Sequence, residues 1–79
     1  MIRVFKIEDG KPEKQILSLS KSAFKTWLYQ WEDCNIKFTG YRVAAYRTGT
    51  VFDAMDTLKD CKSLYLKPDS HNEYAVDIR

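Results

Sequence analysis

The chain opens with strict alternation. In residues 2–7, IRVFKI, Ile2, Val4 and Lys6 fall on one side and Arg3, Phe5 and Ile7 on the other. Period two with β-branched residues predicts a strand. Asp9-Gly10 follows, a pair suited to the positive φ of a hairpin turn. Pro12 belongs to that turn, where its missing donor does no harm. A second strand is expected over Gln15–Leu19.

From Ser20 to Asp33 the period lengthens. Ala23, Phe24, Trp27, Leu28 and Trp31 form one apolar stripe at helical spacing, capped at its start by Ser20 or Ser18. The two tryptophans are expected to anchor the core. Lys21, Ser22, Lys25, Tyr29, Glu32 and Asp33 are expected to face water.

Extended structure returns over 35–47. Ile36 and Phe38 are apolar at even positions, Tyr41, Val43 and Ala45 at odd ones, and the parity switches at Gly40. A β-bulge or a tight Thr39-Gly40 turn accounts for the switch. Residues 41–47 then read as a strand with Tyr41, Val43 and Ala45 under the helices and Arg42, Ala44 and Tyr46 on the open side. Thr50-Val51-Phe52-Asp53 resembles a capping box with Asp in place of Glu or Gln. It opens a second helix whose buried stripe is Val51, Ala54, Met55, Leu58 and Cys61. SLYLK (63–67) and EYAVDI (73–78) close the chain as a hairpin around PDSHN.

The predicted fold class is α+β, a small single domain spanning 1–79. Its order is β-β-α-β-α-β-β, with 35–38 as an optional further strand. An antiparallel or mixed sheet carries two helices. Strand order is not legible in one sequence.

Composition agrees with a folded core, since 44% of residues are hydrophobic and only three are glycine. No run approaches the ~18 apolar residues of a membrane span. The first residues, MIRVFKIEDGK, carry charge by position 3 and lack the apolar centre of a leader. A cytoplasmic protein is expected. Cys34 and Cys61 sit at predicted helix ends without metal-ligand spacing; reduced packing residues are expected, a disulfide being the alternative.

The net charge of +2 is too small to declare a nucleic-acid binder. It is unevenly spread, with nine Lys/Arg against five Asp/Glu in residues 1–49 and four against six in 50–79. The text of "TGYRVAAYRTG" repeats Tyr-Arg. In a strand, however, Arg42 and Tyr46 point away from Tyr41 and Arg47, so the two pairs are split between faces.

No phosphate loop, dinucleotide fingerprint or zinc-protease motif is present. His71 lies in the PDSHN turn without a positioned nucleophile. No enzyme and no cofactor are expected. What remains is surface. Asp53, Asp56 and Asp60 share a side of the second helix, Lys25 and Tyr29 a side of the first, and Arg42 pairs with Tyr46. The expectation is a small interaction protein that binds and modulates, as an inhibitor, a larger protein. An antitoxin-like or phage-type accessory regulator fits that description. Self-association through sheet edges is a further partner type. The alternative is a nucleic-acid-binding face formed by Lys37, Arg42, Tyr46 and Arg47.

Overall fold

The computed structural model describes residues 1–41 and 45–79. Six strands form one antiparallel sheet: β1 (Ile2–Lys6), β2 (Lys14–Leu19), β3 (Ile36–Thr39), β4 (Arg47–Gly49), β5 (Ser63–Lys67) and β6 (Tyr74–Ile78). Two helices complete it, α1 (Lys21–Leu28) and α2 (Val51–Cys61). The α+β class holds, and the optional strand at 35–38 is present as β3. Across the sheet the order is β2-β1-β6-β5-β3-β4. Each hairpin stays together, and the first and last strands lie side by side within the sheet.

Alternation decides the two faces. Ile2, Val4, Ile36, Phe38, Leu64, Leu66 and Val76 are buried on one side, where they meet Phe24 and Leu28 of α1 and Val51, Ala54 and Leu58 of α2. Arg3, Phe5, Lys37, Tyr65 and Asp77 occupy the other. There Arg3 donates to both carboxylate oxygens of Asp77 at 2.9 and 2.7 Å, tying β1 to β6. The hydrogen bond that Arg3 donates to Asp77 raises the Arg3 pKa.

The Asp9-Gly10 turn forms as its chemistry requires, with Gly10 at φ +73°. The strand after it begins one residue earlier than expected, at Lys14. Its register shifts between Val4 and Phe5, which pair with Leu17 and Gln15. Ile16 is the extra residue, and it stays exposed on this edge strand.

Helix α1 is shorter than its apolar stripe predicts. The α-turns stop at Leu28 and a 3-10 turn, Tyr29–Trp31, finishes the segment. Glu32 and Cys34 donate to carbonyls three residues back. Beyond Trp31 the chain has no further apolar residue to place on the sheet until Ile36, so another α-turn has nothing to bury. The tryptophans are not core residues in the full sense. Both are half-buried and stand against the core's edge, where Trp27 meets Trp31 and Tyr74 edge-on with centroids 5.1 and 5.2 Å apart. Lys6 places its ammonium 4.8 Å from the Tyr74 ring centre. Burial, and then the Asp69 charge, raise the Tyr74 pKa.

Of the strand expected over 41–47, the described residues show only its last one, Arg47, in a strand. Among the described residues of this segment, pairing with β3 involves Arg47–Gly49, and Tyr41, Ala45 and Tyr46 belong to no strand. Tyr41 and Ala45 are exposed, not covered by the helices. Arg42, Val43 and Ala44 lie outside the described residues. The parity switch at Gly40 marks the chain leaving the sheet. Thr39 Oγ1 accepts from the Tyr41 N–H at 3.4 Å, and Ser63 Oγ donates to the Gly40 carbonyl at 2.7 Å. Among the described residues no helix is long and apolar enough to cross a membrane.

Candidate partner-binding surface

The two helices stand side by side on the sheet without close backbone packing against each other. A valley of about 540 Å³ runs between them. Its floor is apolar: Ile2 and Ile78 from the sheet, Phe24 from α1, Met55 and Leu58 from α2. Its banks are basic. Lys21 and Lys25 line it from α1, where a spacing of four puts them one above the other. Lys59 and Lys62 line it from α2, with Asp56 beside them. At one end the Tyr29 and Phe52 rings approach to 5.9 Å, and the Lys25 ammonium stands 5.7 Å from the Tyr29 ring centre.

Helix propensity explains why α1 and α2 form, but not this charge. Ser20 caps α1 by accepting from the Ala23 N–H at 3.2 Å. Its first turn then holds Lys21 and no acidic residue. A helix start carries partial positive charge, so a cation there is locally unfavourable. Lys62, closing α2, adopts the left-handed conformation at φ 62°, a position that glycine or asparagine fills at lower cost. Among the described residues the ion pairs are Arg3–Asp77 and Lys11–Glu8. None of the four valley lysines takes part in either.

The acidic residues lie on the opposite flank of α2. Asp53, Asp56 and Asp60 border a shallow groove of about 370 Å³ with Phe38, Arg47, Thr48 and Thr57. Asp56 reaches both sides, so α2 divides an acidic flank from a basic valley. Asp53 has a structural task as well. Its carboxylate accepts from the Thr50 N–H at 3.0 Å while Thr50 Oγ1 accepts from the Asp53 N–H at 3.4 Å, the capping box that the sequence implies.

Of the paired residues, Lys25 and Tyr29 come together, but Tyr29 is half-buried under Phe52 where an open position was expected. The reason is the 3-10 turn, which starts at Tyr29 and changes the direction of its side chain relative to the α1 stripe. Arg42 lies outside the described residues, so its pairing with Tyr46 has no structural description. Tyr46 is exposed and its hydroxyl lies 3.4 Å from a Glu73 carboxylate oxygen.

The residues Lys37 and Arg47 do not share a face. Lys37 is directly paired with Thr48 and Phe38 with Arg47, so the lysine points to the open side. Arg47 instead crosses the Phe38 ring at 5.2 Å and donates to Thr57 Oγ1 of α2 at 3.0 Å. His71 is exposed in the β5–β6 turn. There Asp69 accepts from its backbone N–H and from the Asn72 N–H and side-chain amide.

Cys34 is exposed and Cys61 half-buried, both as free thiols. Cys61 holds the Tyr41 phenol above its usual pKa by a side-chain hydrogen bond. Among the described residues no three His, Cys, Asp or Glu side chains converge as a metal-binding group. The valley's Lys21, Lys59 and Lys62, with Met55, were not read as a site from the sequence, which placed Lys21 in water and Met55 in the buried stripe of the second helix. The signals were a basic residue in the first turn of one helix and a cluster of lysines closing the other.

No protein-family model, no curated protein and no solved structure matches this chain.

Proposed function

We propose that this chain is a small, non-catalytic cytoplasmic protein that binds a larger protein and modulates it by occupying one of its surfaces. Inhibition is the simplest effect of such occupancy, in the manner of an antitoxin-like or phage-type accessory regulator. The observation that carries this reading is the valley between α1 and α2. Met55 and Ile78 are its accessible apolar residues, above the buried Ile2, Phe24 and Leu58, and the lysines on both banks have no ion-pair partner within the described chain. Exposed apolar surface framed by charge is the ordinary anatomy of a recognition site.

A catalytic reading has less to stand on. Among the described residues, the groups whose pKa values move are Arg3 beside Asp77, Tyr41 beside Cys61, and the neighbours Asp69 and Tyr74, three separate places on the fold. The nucleic-acid alternative needs Lys37 and Arg47 on one face, and they occupy two.

Affinity capture with the tagged chain from its native host, read by mass spectrometry, tests the reading. The expected result is a stoichiometric protein partner whose own activity falls when the purified chain is added. Capture of no protein, together with single-stranded DNA binding that weakens steeply with salt, would replace this reading with the nucleic-acid one.

A further inference from the structure

We infer that the occupant of the valley is an acidic amphipathic helix of the partner protein. The inference rests on the interaction reading above and specifies the chemistry of that same surface. Three observations lead to it.

The floor offers side chains and no strand edge. An extended segment lying there would find no ladder to complete, and its backbone N–H and C=O groups would sit unpaired over Met55 and Ile78. A helix satisfies its own backbone and presents apolar residues at i, i+3, i+4 and i+7, which is how helices fill grooves. Met55 suits such a floor, because an unbranched thioether adapts to the side chains it meets.

Both banks carry the same sign. Lys21 and Lys25 face the valley from α1, Lys59 and Lys62 from α2, against the single carboxylate of Asp56. A helix with aspartate or glutamate on both sides of its apolar stripe meets lysines on each bank. A basic or neutral helix leaves them facing like charge or apolar surface.

Local structure also pays for two of these lysines. Lys21 stands at the positive end of α1, and Lys62 holds a left-handed backbone at φ 62°. Neither position favours lysine for folding, and residues that break local rules gather where function needs them.

The test selects ligands from a display library of random 16-residue peptides against the full chain and measures the enriched sequences by fluorescence anisotropy. Enriched peptides should combine acidic residues with apolar ones three and four apart. They should become helical on binding, and should weaken by about tenfold or more against the K21E/K25E or K59E/K62E variants, the order expected for losing a few close charge contacts. K67E, on β5 beside Lys37 and away from the valley, should leave their affinity unchanged. Circular dichroism of each variant confirms that it folds.

Enrichment of peptides without acidic residues, no enrichment, or affinities untouched by the lysine reversals would overturn the inference. Capture from host extract separates the two levels. A partner held equally by wild type and by the K21E/K25E/K59E/K62E variant leaves the interaction reading standing and sinks the valley. An extract in which wild type holds no protein sinks both.

Discussion

Phe52, at the start of α2, lays its ring against Tyr29, at the end of α1, with centroids 5.9 Å apart and planes inclined at 59°. The contact joins the two helices at one end of their valley, although Phe52 remains 53% exposed. Towards the other end the helices are bridged by no comparable pair of rings, and lysines flank the opening. The core itself, which shares Ile2, Phe24 and Leu58 with the valley floor, is built of aliphatic and phenylalanine side chains.

Trp27 contributes to stability from the core's margin. It touches Phe24, Trp31 and Tyr74, yet keeps part of its surface in water. Trp27→Ala should therefore cost about 3 kcal/mol, the low end of the range for deleting a large aromatic side chain. Urea denaturation followed by far-UV circular dichroism measures it; a loss within error of zero would mean the aromatic cluster does not brace the sheet.

Lys62→Gly should stabilise the protein by up to about 1 kcal/mol, because glycine takes the left-handed backbone without the Cβ penalty. Peptide affinity for the valley should fall in the same variant. Thermal melts beside anisotropy titrations read the two effects together, and a variant that loses stability would show that the lysine side chain serves the fold.

The capping box makes Asp53 unlike its two companions. Thr50→Ala should cost about 1 kcal/mol, as removal of a helix N-cap does, and Asp53→Lys should be destabilising too. Asp56→Lys and Asp60→Lys should change stability by less than about 0.5 kcal/mol, as exposed substitutions usually do. Parallel urea curves of the four variants check the contrast.

Gly40 lies under α2. A Cβ there would fall 2.5 Å from Cys61 Sγ and 3.1 Å from Thr57 Cγ2. Gly40→Ala should cost about 1–3 kcal/mol through overpacking, and the cost should shrink in a Cys61→Ala background, where the nearest atom is gone. A double-mutant cycle gives the coupling; a coupling of zero would place the strain elsewhere.

Asp69 gives the β5–β6 turn a dependence on acid. The Asn72 side-chain amide, and then the His71 backbone N–H, hold its carboxyl below the usual carboxylate range. A carboxyl depressed by folding stabilises the native state above its unfolded pKa of about 3.9, and that contribution is lost as pH falls through the lower, folded value. Wild type should thus lose stability on acidification below about pH 4 more steeply than Asp69→Ala, which has no such carboxyl to protonate. Identical acid limbs in urea titrations would contradict the turn's hydrogen bonding.

Local chemistry was legible wherever a few neighbouring residues sufficed. Ser20, Thr50 with Asp53, and Asp9-Gly10 each announce an element's edge, because caps and turns are satisfied within about four positions. The expectation of a strand went astray at Tyr41, Ala45 and Tyr46 because alternation describes how a segment would face a sheet and not whether a neighbouring strand is there to receive it. Tyr29 was misplaced for a related reason: its exposure depends on where α1 tightens and on Phe52, more than twenty positions away.

The sequence by itself determined the α+β class, the succession of elements and both helix starts, since period, caps and turn residues act over short range. Only the tertiary structure decided the strand order, the separation of Lys37 from Arg47, and the meeting of Lys21 and Lys25 with Lys59 and Lys62 across a shared apolar floor. Those depend on which surfaces remain uncovered once every strand has found its neighbours, and burial of that kind is a property of the whole packed chain.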